Sequence, residues 1–306
     1  MLPLRTLRQS LLVLGAASAL GCAPRVAVPS TPPPAIAPPA PLVSAPDQYF
    51  MAGDVRIRYH DVGQGDPVVL IHGFTRSLDD WKGIGDSLAL DHRVIAFDVR
   101  GFGKSTRLSD PARLGGEMAG DVVRLLDHLG IRRAHLAGHS MGAAIAAKVA
   151  TRFPDRVASL SLVAGPFFED SATTAQNMAG YAADIDQGRG MKRFLRWLFP
   201  ALPDSMVHGF DAEVFASNRP ATLSAAMRSF NALTVLPSSP PTIRVPTVVI
   251  VGAGDALLPQ SRWVATWWPN ARLVEIPEAD HVSVLYHPRT LAAMRSTMGA
   301  AVAVGQ

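Results

Sequence analysis

Residues 136–149, LAGHSMGAAIAAKV, constrain the fold more than any other stretch of this chain. The run from Arg133 to Ala137 can form a strand, and the small-residue pattern from Ala143 onward suits an amphipathic helix. Between them Gly138, His139, Ser140, Met141 and Gly142 spell G-x-S-x-G. A serine placed there sits on a tight strand-to-helix turn, and the two glycines remove side chains that would collide across it. The first amides of the helix point at whatever charge develops on an attacked atom. The stretch therefore predicts an α/β sheet carrying a serine nucleophile at the end of one strand.

The flanking sequence supplies the rest of such a sheet. Val55 to Tyr59 alternates apolar and polar residues, as a half-buried antiparallel strand does, and Asp61 to Asp66 reads as a turn. Pro67 to Ile71 is continuously apolar, the mark of an interior parallel strand, and Arg93 to Asp98, Arg156 to Val163, Thr247 to Val251 and Arg272 to Ile276 read as further strands. Helices are predicted at Trp81–Leu88, at Glu117–Leu129 (closed by Gly130), at Gln260–Trp268 and at Pro288–Met298, with Gly299 to Gln306 expected to fray. This order predicts a doubly wound, mostly parallel sheet over residues 48–302. A gap of roughly 80 residues precedes Thr247, where an ordinary crossover needs only about 30. It holds helix patterns at Ala172–Ile185, Met191–Phe199 and Leu223–Leu236. Residues 167–237 are read as a helical lid inserted after the sixth strand, with Phe167, Phe168 and Trp197 as candidates for the apolar side of a substrate pocket.

The amino terminus reads as export machinery. Arg5 and Arg8 precede an apolar stretch, Leu11 to Leu20, of about ten residues, too short to span a bilayer. Cys22 is the single cysteine, so no internal disulfide can form. Ala19-Leu20-Gly21-Cys22 resembles a bacterial lipoprotein cleavage site, although such sites usually carry leucine where Ala19 stands; ordinary cleavage after Ala19 or Ala23 is the alternative. The resemblance implies a lipid on Cys22 as the one membrane contact, a cell-envelope location and, from Ala23, outer-membrane retention. Residues 23–47 are proline-rich without helical or strand periodicity and read as an extended tether. The formal charge of +4 is carried mostly by dispersed arginines, with no basic block and no aromatic interleaving, so no nucleic-acid partner is expected.

Three polar residues fall on loops just beyond predicted strands: Ser140, Asp255 and His281. A serine hydroxyl needs an imidazole to take its proton, and the imidazole needs a carboxylate to hold its tautomer. Asp255 ranks ahead of Glu278 and Asp280, because Asp280 adjoins His281 in sequence and would have to fold back to reach its ring. His281 ranks ahead of His72 and His139, which lie beside or within the turns, and of His287, read as capping the last helix. Backbone N–H groups of Phe74 and Met141 are the expected oxyanion donors. Arg100-Gly101-Phe102-Gly103-Lys104-Ser105 lacks the third glycine of a dinucleotide fingerprint, and Asp98 stands where a P-loop ending in Gly103-Lys104-Ser105 would open on glycine, so the stretch reads as a structural loop. The histidines show no metal-ligand spacing; neither metal nor cofactor is expected.

Taken together, His72-Gly73-Phe74, Asp98-x-Arg100-Gly101-Phe102-Gly103-x-Ser105, the Ser140 pentapeptide, Gly252-x-Gly254-Asp255 with Pro259, and His281 make residues 50–302 resemble the α/β-hydrolase superfamily in its lidded branch. Relatives with an aspartate nucleophile are set aside by Ser140, and Asp280 stands where the family commonly has glycine. The resemblance implies a serine hydrolase acting on carboxylic esters of small or medium apolar substrates through an acyl-enzyme. Hydrolysis of C–C or amide bonds with the same residues, and an inactive envelope binding protein on this scaffold, are the alternatives.

Overall fold

The computed structural model describes residues 39–165, 171–235 and 243–304. Phe167, Phe168, Cys22 and the expected signal segment 1–22 lie outside the described residues. β1 (Gln48–Ala52) and β2 (Val55–Val62) form an antiparallel hairpin, followed by β3 (Pro67–Ile71), β4 (Arg93–Phe97), β5 (Ala134–His139), β6 (Val157–Val163), β7 (Thr247–Gly252) and β8 (Ala271–Ile276). They make one sheet in the order β1-β2-β4-β3-β5-β6-β7-β8. β2 is antiparallel to β4, and every pairing from β4 to β8 is parallel. β5 and β7 are buried along their whole length; β7 accordingly reads as an unbroken small or apolar run, whereas β5 buries two histidines, His135 and His139.

Side chains alternate across the sheet and divide the core in two. Val69 and Ile71 of β3 join one cluster with Leu125 of α2 (Gly116–His128) and Ile145 of α3 (Met141–Arg152). Val68 and Leu70 of the same strand join the other, with Leu88 of α1 (Lys82–Leu88) and Met294 of the last helix, Pro288–Val304. Between β6 and β7 the chain makes α4 (Ser171–Asp186), α5 (Lys192–Leu198), α6 (Asp204–Ser217) and α7 (Pro220–Ser229), then a 3-10 turn over Phe230–Leu233. After β7 come α8 (Leu258–Val264), α9 (Ser283–Tyr286) and α10 (Pro288–Val304).

Several boundaries differ from expectation. The domain begins before residue 48: a 3-10 turn at Leu42–Ser44 packs Leu42, fully buried, over α1, where even a methyl on Gly85 would collide with it. Leu42 N donates to Asp86 Oδ1 at 2.6 Å, and Leu42 O accepts from His60 Nδ1 at 2.6 Å. One anchoring leucine among prolines leaves no periodicity to read. β1 carries no readable alternation because its outward face holds the exposed Tyr49 and Met51, and β2 runs through Asp61, read as turn, because Asp61 pairs with Ile95 and its carboxylate holds Arg93. α6 was unexpected. Gly209 falls within it and only Val207 is fully buried, so its apolar stripe is faint. The predicted helix at Leu223–Leu236 begins earlier, at Pro220, and passes into the 3-10 turn. α10 continues to Val304 instead of fraying at Gly299; one helical glycine costs only about 1 kcal/mol, against a helix docked through Met294 and Met298.

Candidate active site

Ser140 caps the amino end of α3 with φ 53° and ψ −114°, a left-handed region that costs a non-glycine residue energy. Its surroundings hold it there. Ser140 N donates to Val163 O at 2.8 Å, and Ser140 O accepts from Ala143 N at 2.9 Å. The two glycines of the pentapeptide are required by space: a Cβ on Gly138 would lie 2.1 Å from Gly142 O, and one on Gly142 would lie 2.0 Å from Ile71 O.

β7 and β8 deliver the other two residues. Ser140 Oγ lies 2.9 Å from His281 Nε2, oriented to donate its proton. His281 Nδ1–H donates to both Asp255 oxygens, at 3.1 and 3.0 Å. Asp255 is fixed in turn by Leu257 N, which donates to Oδ1 at 2.8 Å. All three are buried. An ionised carboxylate against Nδ1 leaves Nε2 unprotonated and facing the hydroxyl, the arrangement a general base requires.

The competing residues have other work. Asp280 Oδ1 accepts from Val282 N at 3.0 Å and from Ser283 N and Oγ at 2.7 Å each, closing the turn that presents His281. Burial pushes its carboxyl upward, yet these bonds win and hold it below the ordinary range. Glu278 makes the turn with φ 63°. His72 is buried between strands, accepting from Val99 N at 2.9 Å and donating to Gly73 O at 2.7 Å. His287 accepts from Arg289 N at 3.2 Å at the start of α10. His139 is the feature the sequence did not reveal: its ring lies 5.3 Å from that of His281, and Nε2–H donates to His281 O at 2.8 Å. Burial, then the neighbouring His281, pushes this imidazole down to about 4, so at neutral pH it adds no charge.

Phe74 follows the end of β3, and a Cβ on the preceding Gly73 would stand 3.5 Å from the Ser140 Cβ, so this loop abuts the serine turn. Ser140, His281 and Phe74 all line one cavity of about 710 Å³. Phe194, Leu195 and Leu198 of α5 and Phe199, Phe210 and Phe230 give it an apolar side; Arg58, Arg76, Lys104 and Arg107 lie on its polar side. Trp197, expected in the pocket, is instead half-buried behind it, with its ring 5.7 Å from that of Phe194 and 6.4 Å from that of Tyr181. Helical spacing explains this, because 194, 195 and 198 share a face that 197 does not. Asp98 organises the loop after β4, accepting from Leu78 N at 2.8 Å and Lys104 N at 2.7 Å, with Arg58 3.2 Å away.

This order of strands, with serine, aspartate and histidine each at the carboxyl end of a different one, is matched across residues 66–288 by a family described as the alpha/beta hydrolase fold. The chain belongs to that family. Among curated relatives, it is 33% identical over 247 residues to the dihydrolipoyllysine-residue acetyltransferase component of the acetoin cleaving system of Pseudomonas putida, covering 78% of this chain and 65% of that one. The chain thus spans just under two thirds of that relative's length. It is 31% identical over 258 residues to a 2-hydroxymuconate semialdehyde hydrolase of Pseudomonas putida, covering 79% of this chain and 90% of that one. Among solved structures, a thermophilic esterase from Thermogutta terrifontis superposes with a TM-score of 0.71 at 26% identity, covering 84% of this chain and 99% of the esterase.

Proposed function

We propose that this α/β hydrolase is a serine esterase acting on carboxylic esters of small or medium apolar substrates. One observation carries the reading. The unbroken Ser140–His281–Asp255 contact, at 2.9 and 3.0 Å, opens into a cavity of about 710 Å³ whose far wall is aromatic and aliphatic. Ser140 attacks the ester carbonyl as His281 accepts its proton, and Asp255 stabilises the imidazolium. The oxyanion is received by the amides of Met141 and Phe74, and His281 returns the proton to the departing alcohol. Water deprotonated by the same imidazole then releases the acid. The helices between β6 and β7 serve as the lid that presents the acyl pocket.

The test is turnover of short- and medium-chain p-nitrophenyl esters by wild type and S140A. A loss of at least about 10³-fold in kcat is expected; equal turnover by the two proteins would remove Ser140 from the mechanism. The likeness to the semialdehyde hydrolase supports a second reading, hydrolysis of a C–C bond by the same three residues. A panel of esters, amides and vinylogous diketones decides between them by kcat/KM. At the amino terminus we propose a lipid on Cys22 and an envelope location. Intact-mass measurement of the mature protein tests this, and an unmodified terminus lacking Cys22 would refute it.

A further inference from the structure

The turn after β3 holds a residue in a conformation its side chain disfavours, and α6 reaches across to keep it there. Gly73 O accepts from Arg76 N at 3.4 Å, and Thr75, third residue of that turn, has φ 68°. Glycine is the usual occupant of such a position, and a β-branched residue there is strained. Asn218, which caps the carboxyl end of α6 and is 7% exposed, meets it. Its Nδ2 donates to Thr75 O at 3.0 Å and to Val214 O at 3.0 Å, and its Oδ1 accepts from Arg107 at 3.4 Å. The bond to Val214 accounts for a helix cap, and Arg107, from the loop after β4, donates to Ser217 O as well as to Asn218 Oδ1 and so ties down the end of α6. The bond to Thr75, 143 residues away in the chain, does not serve the helix. It spends the remaining amide hydrogen on the residue directly after Phe74. α6 touches the same turn again through Glu213 and Arg76 at 3.4 Å, an exposed pair worth little by itself.

We propose that Asn218 is a positioning residue for the hydrolytic reaction. Its donation to the Thr75 carbonyl holds the Gly73–Arg76 turn in the shape that aims the Phe74 amide at the carbonyl under attack. This rests on the reading of Ser140 as nucleophile and Phe74 as oxyanion donor. It makes the inserted helices part of the catalytic geometry as well as of the pocket wall. An oxyanion donor acts on the transition state more than on bound substrate, so a misaimed one lowers kcat and leaves KM nearly unchanged.

The experiment is a double-mutant cycle on p-nitrophenyl butyrate with N218A, T75G and the pair, each checked for melting temperature. N218A is expected to lower kcat about tenfold with KM within about twofold. Glycine reaches φ 68° without strain, so T75G makes the turn independent of its latch. In that background N218A should cost no more than about threefold. If N218A yields no folded protein, N218D replaces it: the carboxylate still accepts from Arg107 but cannot donate to Thr75. An unchanged kcat, an effect on KM alone, or an equal loss in both backgrounds would each overturn the proposal. Wild type that neither turns over esters nor reacts at Ser140 with a fluorophosphonate would overturn the nucleophile reading itself, an outcome distinct from active wild type with an indifferent Asn218.

Discussion

At Asp255 and Asp280, two carboxylates near one histidine divide the labour by geometry. Asp255 reaches the ring nitrogen of His281, whereas Asp280 spends its oxygen on the backbone and hydroxyl of the turn. D255N should therefore keep its fold and lose on the order of 10³-fold or more in kcat, because an amide favours the wrong imidazole tautomer. D280N, which still offers an oxygen to the Val282 and Ser283 amides, should stay within about threefold of wild type. Steady-state kinetics on one ester compares them; the reverse ranking would make Asp280 the partner of the base. Two other histidines govern stability. Burial above all pushes His135 and His139 each down to about 4 from 6.5, with a nearby imidazole adding to the effect. The unfolded chain binds these protons near pH 6.5 and the folded one only near 4, so stability falls as pH drops through that window and is full above it. Each contributes up to about 3 kcal/mol across the window. Urea midpoints at pH 7 and pH 5 should show a large loss in wild type and a smaller one in H135Q. Asp47, held well below the carboxylate range against burial by Lys104, His60 and Arg58, acts only at lower pH.

Elements differ in how far their residues announce them. β3 and β7 are legible because a strand buried on both faces reads as a small or apolar run, and β5, despite His135 and His139, is legible through the G-x-S-x-G it leads into, where Gly138 and Gly142 have no room for a side chain. Their chain order then left Asp255 and His281 at neighbouring strand ends. The Leu42 turn, α6 and the pocket face of α5 were not legible for a common reason. Each depends on which distant surface a side chain meets, and a single leucine among prolines or a tryptophan one position off the lining carries no local signal. His139 shows the same limit at the site, where its donation to His281 O joins residues far apart in the chain. The Leu42 turn yields a direct test. L42A removes a fully buried side chain and should cost about 2–4 kcal/mol by chemical denaturation. A cost below about 0.5 kcal/mol would return residues 39–47 to the tether.

Across the whole molecule, the proposed chemistry and its selectivity draw on different parts of the chain. The sheet supplies the serine, the aspartate and the histidine, while α5, α6 and the Phe230 turn supply the apolar cavity wall. Filling that wall should shorten the accepted acyl chain without harming the reaction. In L198W the ratio of kcat/KM for octanoate over acetate esters should fall at least about tenfold, with acetate turnover within about threefold of wild type. Equal losses on both esters would mean that the acyl group lies elsewhere. Asn218 complicates this division, because it binds the inserted helices to the turn carrying Phe74 through a single carboxamide. A graft that exchanged residues 171–235 for the corresponding helices of another hydrolase would import a new preference for substrate and sever that carboxamide at once. Such chimaeras should emerge selective but slow, and recover their speed through second-site changes at Thr75 before any change within the graft.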